Sequence, residues 1–233
     1  VFINQTTGNT KLKDVNVRRA LSESADRSFI INSIFDGRAT PLYGPTTNTK
    51  QPENNADLSV LKDVTVTLTV PDESFLVKTA EILKGAWESH GAKITLRIMS
   101  IKDIEDNVLR NTDYEMLIFG NIIKQGEDLY AFWDSSRRFY PDANLSLYQN
   151  PAVDNLLEAY RRNFDVASRN TRITKISNLI ASDFPAVFLY SPDYVYVSTP
   201  RLGGLDATRV VNTSADIFDT IEKWYVETTR RFQ

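Results

Sequence analysis

The sequence predicts an α/β fold in which a mixed, largely parallel sheet is flanked by helices. Residues 64–70 and 93–98 alternate apolar with polar side chains, and residues 116–120 form the apolar run MLIFG, so all three are predicted strands. Helical patterns at residues 74–90 and 101–109 separate them. Strands that alternate with helices in this order pair in parallel through right-handed crossovers.

Two more helices are predicted ahead of these strands, at about 14–24 and 27–36. Asp14 and Asp26 precede them as N-caps, because a carboxylate there accepts hydrogen bonds from free backbone N–H groups. Gly37 is placed to end the second helix, since glycine takes the left-handed conformation at little cost. The predicted buried faces carry Val17, Ala20, Leu21, Ile30, Ile34 and Phe35.

The other segments are assigned more coarsely. Residues 1–4 are a predicted short strand, and residues 40–63 are a predicted long surface loop. Asn150 and Pro151 begin a helix in the favoured order of cap and then proline. Asp165 begins a longer helix. The last predicted strands are 186–190, 194–197 and 223–228.

Composition excludes several classes of function. The chain has 233 residues, 42% of them apolar and 24% charged, and a net charge of −3. It has no block of basic residues, so no nucleic-acid partner is expected. It has no cysteine and one histidine, His90, so no metal site and no cofactor are expected. No apolar run approaches the ~20 residues that span a bilayer.

One stretch, residues 14–41, has a specific spacing. Twelve of its positions match a pattern, namely Asp14, Val17, Arg18, Ala20, Leu21, Ala25, Asp26, Arg27, Ile30, Gly37, Ala39 and Pro41. This pattern resembles a signature of bacterial extracellular solute-binding proteins of the peptide/nickel class, family 5, which serve ABC importers. The likeness continues through YEMLIFG at 114–120 and DFPAVFLY at 183–190.

The resemblance implies a lobe of the periplasmic-binding-protein type II kind. Residues 1–200 would be the C-terminal lobe, and residues 201–233 a tail that returns towards an N-terminal lobe absent from this chain. The function implied is capture of a peptide or similar small solute in a cleft between lobes, and delivery to an ABC permease. The protein is expected to be a monomer, not an enzyme. Its expected location is periplasmic or extracellular, with a lipid anchor or signal sequence in the missing upstream part.

The ligand-binding residues are expected just after the strand that ends at Gly120. Dipeptide and oligopeptide binders of the family have a tryptophan after this glycine and an acidic residue three positions later, which holds the ligand's amino terminus. Here Asn121 and Lys124 occupy those positions, so a carboxylate, phosphate or carbonyl group suits Lys124 better than an ammonium. The candidate ligand-binding residues are Asn121, Ile122, Ile123, Lys124, Glu127, Asp128 and Trp133.

Two other functions stay open from the sequence. A hydrolase that uses Asp and Glu residues is one, although no G-x-S-x-G motif and no cysteine nucleophile is present. A sensor or adhesion module that reuses the same lobe is the other, because a fold does not fix a function.

Overall fold

The structure, a computed structural model, describes residues 1–121, 128–163, 165–206 and 215–226. The chain divides into two compact units. Unit 1 comprises Val1–Asn121 and Asp128–Pro192, and unit 2 comprises Ile122–Glu127 and Asp193–Gln233.

Unit 1 contains the labelled helices and six of the strands. The helices are α1 (Val15–Glu23), α2 (Arg27–Phe35), α3 (Ser74–Glu88), α4 (Ile101–Asp103, continued by a π-helical turn Ile104–Leu109), α5 (Tyr130–Trp133), α6 (Pro151–Arg161) and α7 (Val166–Asp183). The strands are β1 (Phe2–Ile3), β2 (Ala39–Pro41), β3 (Thr65–Pro71), β4 (Lys93–Met99), β5 (Met116–Leu117) and β6 (Tyr190–Pro192). Short 3₁₀ helices lie at Thr10–Lys13, Leu58–Leu61 and Ser135–Arg137.

Four strands form a mixed sheet in the order β1-β5-β3-β4. β3 pairs in parallel with β4 along seven residues, from Thr65 opposite Lys93 to Pro71 opposite Met99. β3 also pairs in parallel with β5, whereas β1 is antiparallel to β5. The predicted fold class, a mixed and largely parallel sheet flanked by helices, is therefore confirmed.

The main core lies on one face of this sheet, between β3 and the two helices α1 and α3. The inward-facing side chains of β3 are fully buried there, because alternate residues of a strand point to the same face. The Trp87 indole of α3 donates a hydrogen bond to the Leu21 carbonyl of α1 at 3.0 Å, which joins the two helices. The apolar stripes of both helices supply this core, namely Val17, Ala20, Leu21, Ala80, Leu83 and Trp87.

Short strands missed by the sequence pattern form a second, two-stranded sheet. β2 pairs antiparallel with β6, with Thr40 opposite Ser191. The predicted loop 40–63 overlaps β2 at its start and the 3₁₀ helix Leu58–Leu61 near its end, and residues 42–57 between them contain no helix or strand. A strand of three residues carries too little alternation to be recognised.

Unit 2 contains two short strands and a helical segment among its described residues. β7 (Leu202–Gly203) pairs antiparallel with β8 (Tyr225–Val226), and a 3₁₀ segment covers Asp216–Lys223. β8 confirms only part of the predicted strand 223–228. The predicted strand 194–197 is not a strand, and its alternating Tyr and Val side chains are exposed. Among the described residues it has no paired neighbour strand, and a strand forms only through such pairing.

No helix of the described residues is both long enough and apolar enough to cross a membrane.

Candidate functional site

The strand order places the candidate site at the carboxyl edge of the sheet. From β3 the chain passes to its neighbour β4, and then returns past β3 to β5 on the other side. In open α/β sheets such a reversal leaves a crevice beyond the carboxyl ends of the strands, and ligands bind there. The residues that follow β3, β4 and β5 are therefore the candidates.

The ends of β3 and β4 are tied to each other at this edge. The Asp72 backbone N–H donates to the Met99 carbonyl at 2.8 Å, one residue beyond the end of β3. Glu73 precedes α3, is exposed and makes no capping hydrogen bond with its side chain. Ser100 caps α4, because its hydroxyl accepts a hydrogen bond from the Asp103 N–H at 3.0 Å. The edge thus presents exposed carboxylates beside the start of a 15-residue helix.

The described residues do not crowd the chain just after β5. The Ile118 N–H donates to the Thr69 carbonyl at 2.9 Å, so pairing with β3 continues one residue past the strand. Phe119 is half-buried, and Gly120 is exposed. Among the described residues, no heavy atom would lie within 4 Å of a Cβ atom added to Gly120.

The predicted ligand-binding residues divide into two groups. Asn121 is the last described residue after β5 and is half-buried. Ile122, Ile123, Lys124 and Glu127 lie outside the described residues.

Asp128 already has two partners. Its carboxylate accepts a hydrogen bond from the Tyr130 N–H at 3.0 Å and forms an ion pair with the Arg161 guanidinium at 2.8 Å. That guanidinium also lies over the Tyr130 ring, 4.3 Å from its centroid, and Arg137 lies 5.1 Å from the same centroid. Asp128 is therefore held by α6 rather than left free beside the strand end.

Trp133 is buried in a cluster of aromatic side chains. Only 2% of its surface is exposed, and its ring lies 5.6–6.2 Å from the rings of Phe2, Tyr148 and Phe188. Phe2 is opposite Leu117 in the β1–β5 pair, so the cluster packs beside the end of β5. The Trp133 Nε1–H has no hydrogen-bond acceptor among the described residues.

A polar network beside this cluster was not predicted. The Tyr148 hydroxyl and the Asn150 amide both donate to the Asp183 carboxylate, the latter at 2.8 Å. Burial, and then the hydrogen bond to Asp183, raises the pKa of the Tyr148 hydroxyl. The phenol therefore stays protonated at neutral pH. Asp183 is more than 30 positions from both Tyr148 and Asn150, so no local pattern could have joined it to them.

The two arginines of the signature stretch bind backbone carbonyls instead of a ligand. Arg18 donates to the carbonyls of Phe184 at 3.0 Å and Asp183 at 2.8 Å, at the end of α7, and also to the Thr10–Lys13 segment. Arg27 donates to the carbonyls of Leu42 and Phe188, both at 2.9 Å. Arg18 is not part of the apolar stripe of α1, yet it is only 6% exposed.

No three histidine or carboxylate side chains of the described residues group closely enough to hold a metal ion. The carboxyl edge thus carries exposed carboxylates and hydrogen-bonding groups, which can orient a small molecule, with the aromatic cluster buried beside it.

A family model matches this architecture. The model described as bacterial extracellular solute-binding proteins, family 5, middle region, matches residues 1–138. The chain belongs to this family.

Three relatives illustrate the similarity within the family 5 solute-binding proteins. The nickel-binding protein NikA of Staphylococcus aureus is 25% identical over 89% of the chain, and the oligopeptide-binding protein AppA of Bacillus subtilis is 22% identical over 97%. The structure of AppA with a nonapeptide superposes with a TM-score of 0.74 at 19% identity, covering 97% of this chain and 50% of AppA. HbpA2 of Haemophilus parasuis gives a TM-score of 0.78 at 17% identity, covering 97% of this chain and 47% of HbpA2.

These structural matches show the shared fold. The chain spans 40–46% of the length of the curated relatives that it matches. The matched relatives with a named activity are binding proteins.

Proposed function

We propose that this chain is one lobe of the substrate-binding component of an ABC importer. In this proposal the complete protein captures a peptide or another small solute between two lobes and delivers it to a membrane permease. The observation that carries it is the family match over residues 1–138, together with the uncrowded position of Gly120 at the carboxyl edge. Clefts between lobes close on a ligand by hinge motion, and no covalent chemistry is required.

The proposal also covers the domain boundaries, the oligomeric state and the location of the protein. Residues 1–200 form the C-terminal lobe, and residues 201–233 return towards a second lobe. The protein acts as a monomer that is not an enzyme, in a periplasmic or extracellular location, held by a lipid anchor or exported by a signal sequence. Family 5 solute-binding proteins are periplasmic or extracellular, which supports this location.

The ligand site of this lobe is proposed to be the segment that follows β5. Asn121 begins it at the carboxyl edge, and Lys124 supplies a cation for a carboxylate, phosphate or carbonyl group of the solute. Ile122, Ile123 and Glu127 complete the segment. Asp128 anchors its far end through Arg161, which supports a fixed attachment at that point.

Trp133 is proposed to support this site by packing beside the end of β5. Its ring packs on Phe2 beside the end of β5, and its Nε1–H has no acceptor among the described residues. Its side chain is buried, so it supports the site by packing at the end of β5 and not by touching the solute.

The experiment is a substitution at Gly120 in the full-length protein. Gly120→Leu places a large side chain at the carboxyl edge, so it should weaken solute binding about tenfold or more, a loss of about 1.4 kcal/mol. The solute that co-purifies with the protein is first identified by mass spectrometry. Titration calorimetry then uses that solute, with a nonapeptide and Ni(II) plus L-histidine as comparison probes.

The matched control is Gly85→Leu. Gly85 lies in α3, is exposed, and also has no atom within 4 Å of an added Cβ, but it is remote from the carboxyl edge. This variant should bind the solute as the wild type does. Equal solute affinity in the Gly120→Leu and Gly85→Leu proteins would show that the carboxyl edge of this lobe is not part of the ligand site.

A further inference from the structure

One face of α6 holds residues 128–135, which follow the proposed ligand segment along the chain. Asp154, in the first turn of α6, accepts a hydrogen bond from the Ser135 N–H at 3.0 Å. Arg161, in the last turn, forms the ion pair with Asp128 at 2.8 Å. Asp154 and Arg161 stand at positions i and i+7, which lie on the same face of a helix. A single face of α6 therefore fixes both ends of residues 128–135.

The Arg161 side chain contacts two residues of this stretch at once. Its guanidinium pairs with Asp128 and lies over the Tyr130 ring, 4.3 Å from the centroid. The Asp128 carboxylate in turn accepts a hydrogen bond from the Tyr130 N–H at 3.0 Å. Leu129, which lies between them in the chain, is fully buried. Three consecutive residues are therefore fixed, and Arg161 holds the first and the third.

Tyr130 has further attachments, whereas Asp128 depends on Arg161. Arg137 lies 5.1 Å from the Tyr130 centroid, and the Tyr130 hydroxyl is 3.2 Å from the Ser136 hydroxyl. A guanidinium near an aromatic ring is attracted by the ring quadrupole. Among the side chains that the structure describes, only that of Arg161 is paired with the Asp128 carboxylate. Loss of Arg161 would therefore release Asp128 more than Tyr130.

The attachment of Asp128 matters for solute binding because of its place in the chain. Asp128 and Asn121 are the described residues on either side of positions 122–127. A loop whose ends are held loses fewer conformations on binding, so the entropic cost of ordering it is smaller. A loosened end lowers the fraction of molecules whose loop is ready to bind, and the apparent affinity falls by that fraction.

We propose that Arg161 is a positioning residue of the solute site, which fixes Asp128 and does not touch the solute. This inference rests on the proposed function, because it takes residues 121–128 as the ligand segment. The ion pair is partly exposed, with 51% of the Arg161 side chain and 32% of the Asp128 side chain accessible. Exposed ion pairs add little to global stability. The effect of Arg161 is therefore expected in solute affinity and local motion, and not in the unfolding midpoint.

The test compares Arg161→Gln with the wild type in the full-length protein. Titration calorimetry with the co-purifying solute, identified by mass spectrometry, should show an affinity weaker by about threefold or more. Exchange of the Tyr130 amide hydrogen, followed by NMR, should be faster by about threefold or more, because its acceptor Asp128 is released. Arg161→Lys should recover most of the affinity, since an ammonium also pairs with a carboxylate.

The matched control is Arg162→Gln. Arg162 is the next residue of α6, is exposed, and pairs with Glu158 of the same helix at 3.0 Å. This variant should bind the solute and exchange the Tyr130 amide hydrogen as the wild type does. Equal losses of affinity in Arg161→Gln and Arg162→Gln would overturn the proposal, because they would reflect the charge of α6 and not the contact with Asp128.

The variant Asp128→Asn and the double variant with Arg161→Gln complete the test. Both single substitutions break the same ion pair, so the double variant should lose no more affinity than either one. Additive losses, or a weaker affinity with unchanged Tyr130 exchange, would overturn the proposal. An affinity that falls in Gly120→Leu but not in Arg161→Gln contradicts this inference alone. An affinity unchanged in both variants contradicts the proposed solute site as well.

Discussion

Two buried arginines, Arg18 and Arg27, hold unit 1 together at points distant in sequence. Arg27 donates to the carbonyls of Ser22 and Ala25, both at 3.0 Å, in addition to those of Leu42 and Phe188. Burial lowers the pKa of its guanidinium to about 10, which leaves it charged at neutral pH. A guanidinium suits this role, because its five N–H groups diverge in one plane and reach several acceptors at once.

We predict that Arg27→Met lowers the free energy of unfolding by about 3 kcal/mol, because it leaves buried carbonyls without donors. Arg38→Met is the control. Arg38 is exposed and pairs with exposed Asp36, so its loss should cost less than about 0.5 kcal/mol. Urea unfolding followed by circular dichroism measures both. A loss below about 1 kcal/mol for Arg27→Met would show that its hydrogen bonds add little net stability.

At the scale of elements, Gly85 of α3 lies where a larger residue would fit. A Cβ atom at Gly85 meets no neighbour within 4 Å, and its backbone is helical. Gly91, just beyond the helix, differs. Its φ is +92°, and an added Cβ would lie 3.3 Å from the Lys62 Cα atom.

We predict opposite effects of the same substitution at these two glycines. Gly85→Ala should raise the free energy of unfolding by about 0.5–1 kcal/mol, because alanine is the better helix former. Gly91→Ala should lower it by about 1 kcal/mol or more, since a left-handed residue with a Cβ is strained. Thermal unfolding of the two variants tests the pair. Stabilisation by both would mean that the turn after α3 relaxes without strain.

How far an element could be predicted depended on its length and on local pattern. β3 and β4 were predicted because seven residues alternate, and α3 because its stripe repeats through Trp87. The pairing of β2 with β6 was not predictable, because it joins two three-residue strands about 150 positions apart. The segment 194–197 shows the converse, since its alternation is clear but no described strand pairs with it.

The candidate site was predictable in position more than in contacts. The apolar run 116–120 predicted a strand there, although β5 covers only Met116–Leu117, and Asn121 follows it closely. The partners of Asp128 and Trp133 were not predictable, because Arg161 and Phe2 come from remote elements.

At the scale of the whole molecule, buried tyrosines link stability to alkaline pH. Burial raises the pKa of Tyr114 and Tyr190, and burial with a hydrogen bond to Asp183 raises that of Tyr148. An unfolded tyrosine ionises near pH ~10. Above that pH the unfolded chain binds fewer protons than the folded chain, so stability falls as pH rises.

We predict that the midpoint of urea unfolding falls between about pH 9 and 11, and that Tyr148→Phe makes the fall shallower, because phenylalanine does not ionise. Arg27 and Arg18 act in the opposite direction at alkaline pH, because burial lowers the pKa of each guanidinium in the folded state, but two groups oppose three. Comparing the variant with the wild type at each pH isolates the contribution of Tyr148. If the urea midpoints of the two proteins fall in parallel as pH rises, Tyr148 does not contribute to the loss of stability at alkaline pH.

The acceptors of Arg18 and Arg27 have a consequence for how this protein changes over evolutionary time. Nearly all of them are main-chain carbonyls, and every amino acid supplies a main-chain carbonyl. Substitutions in the end of α7 or before β6 therefore leave the attachment intact, provided that the backbone path is kept. The side chains of these segments can therefore change during evolution while the fold is kept. Binding specificity can change in the same way, without loss of the hydrogen bonds from the two arginines.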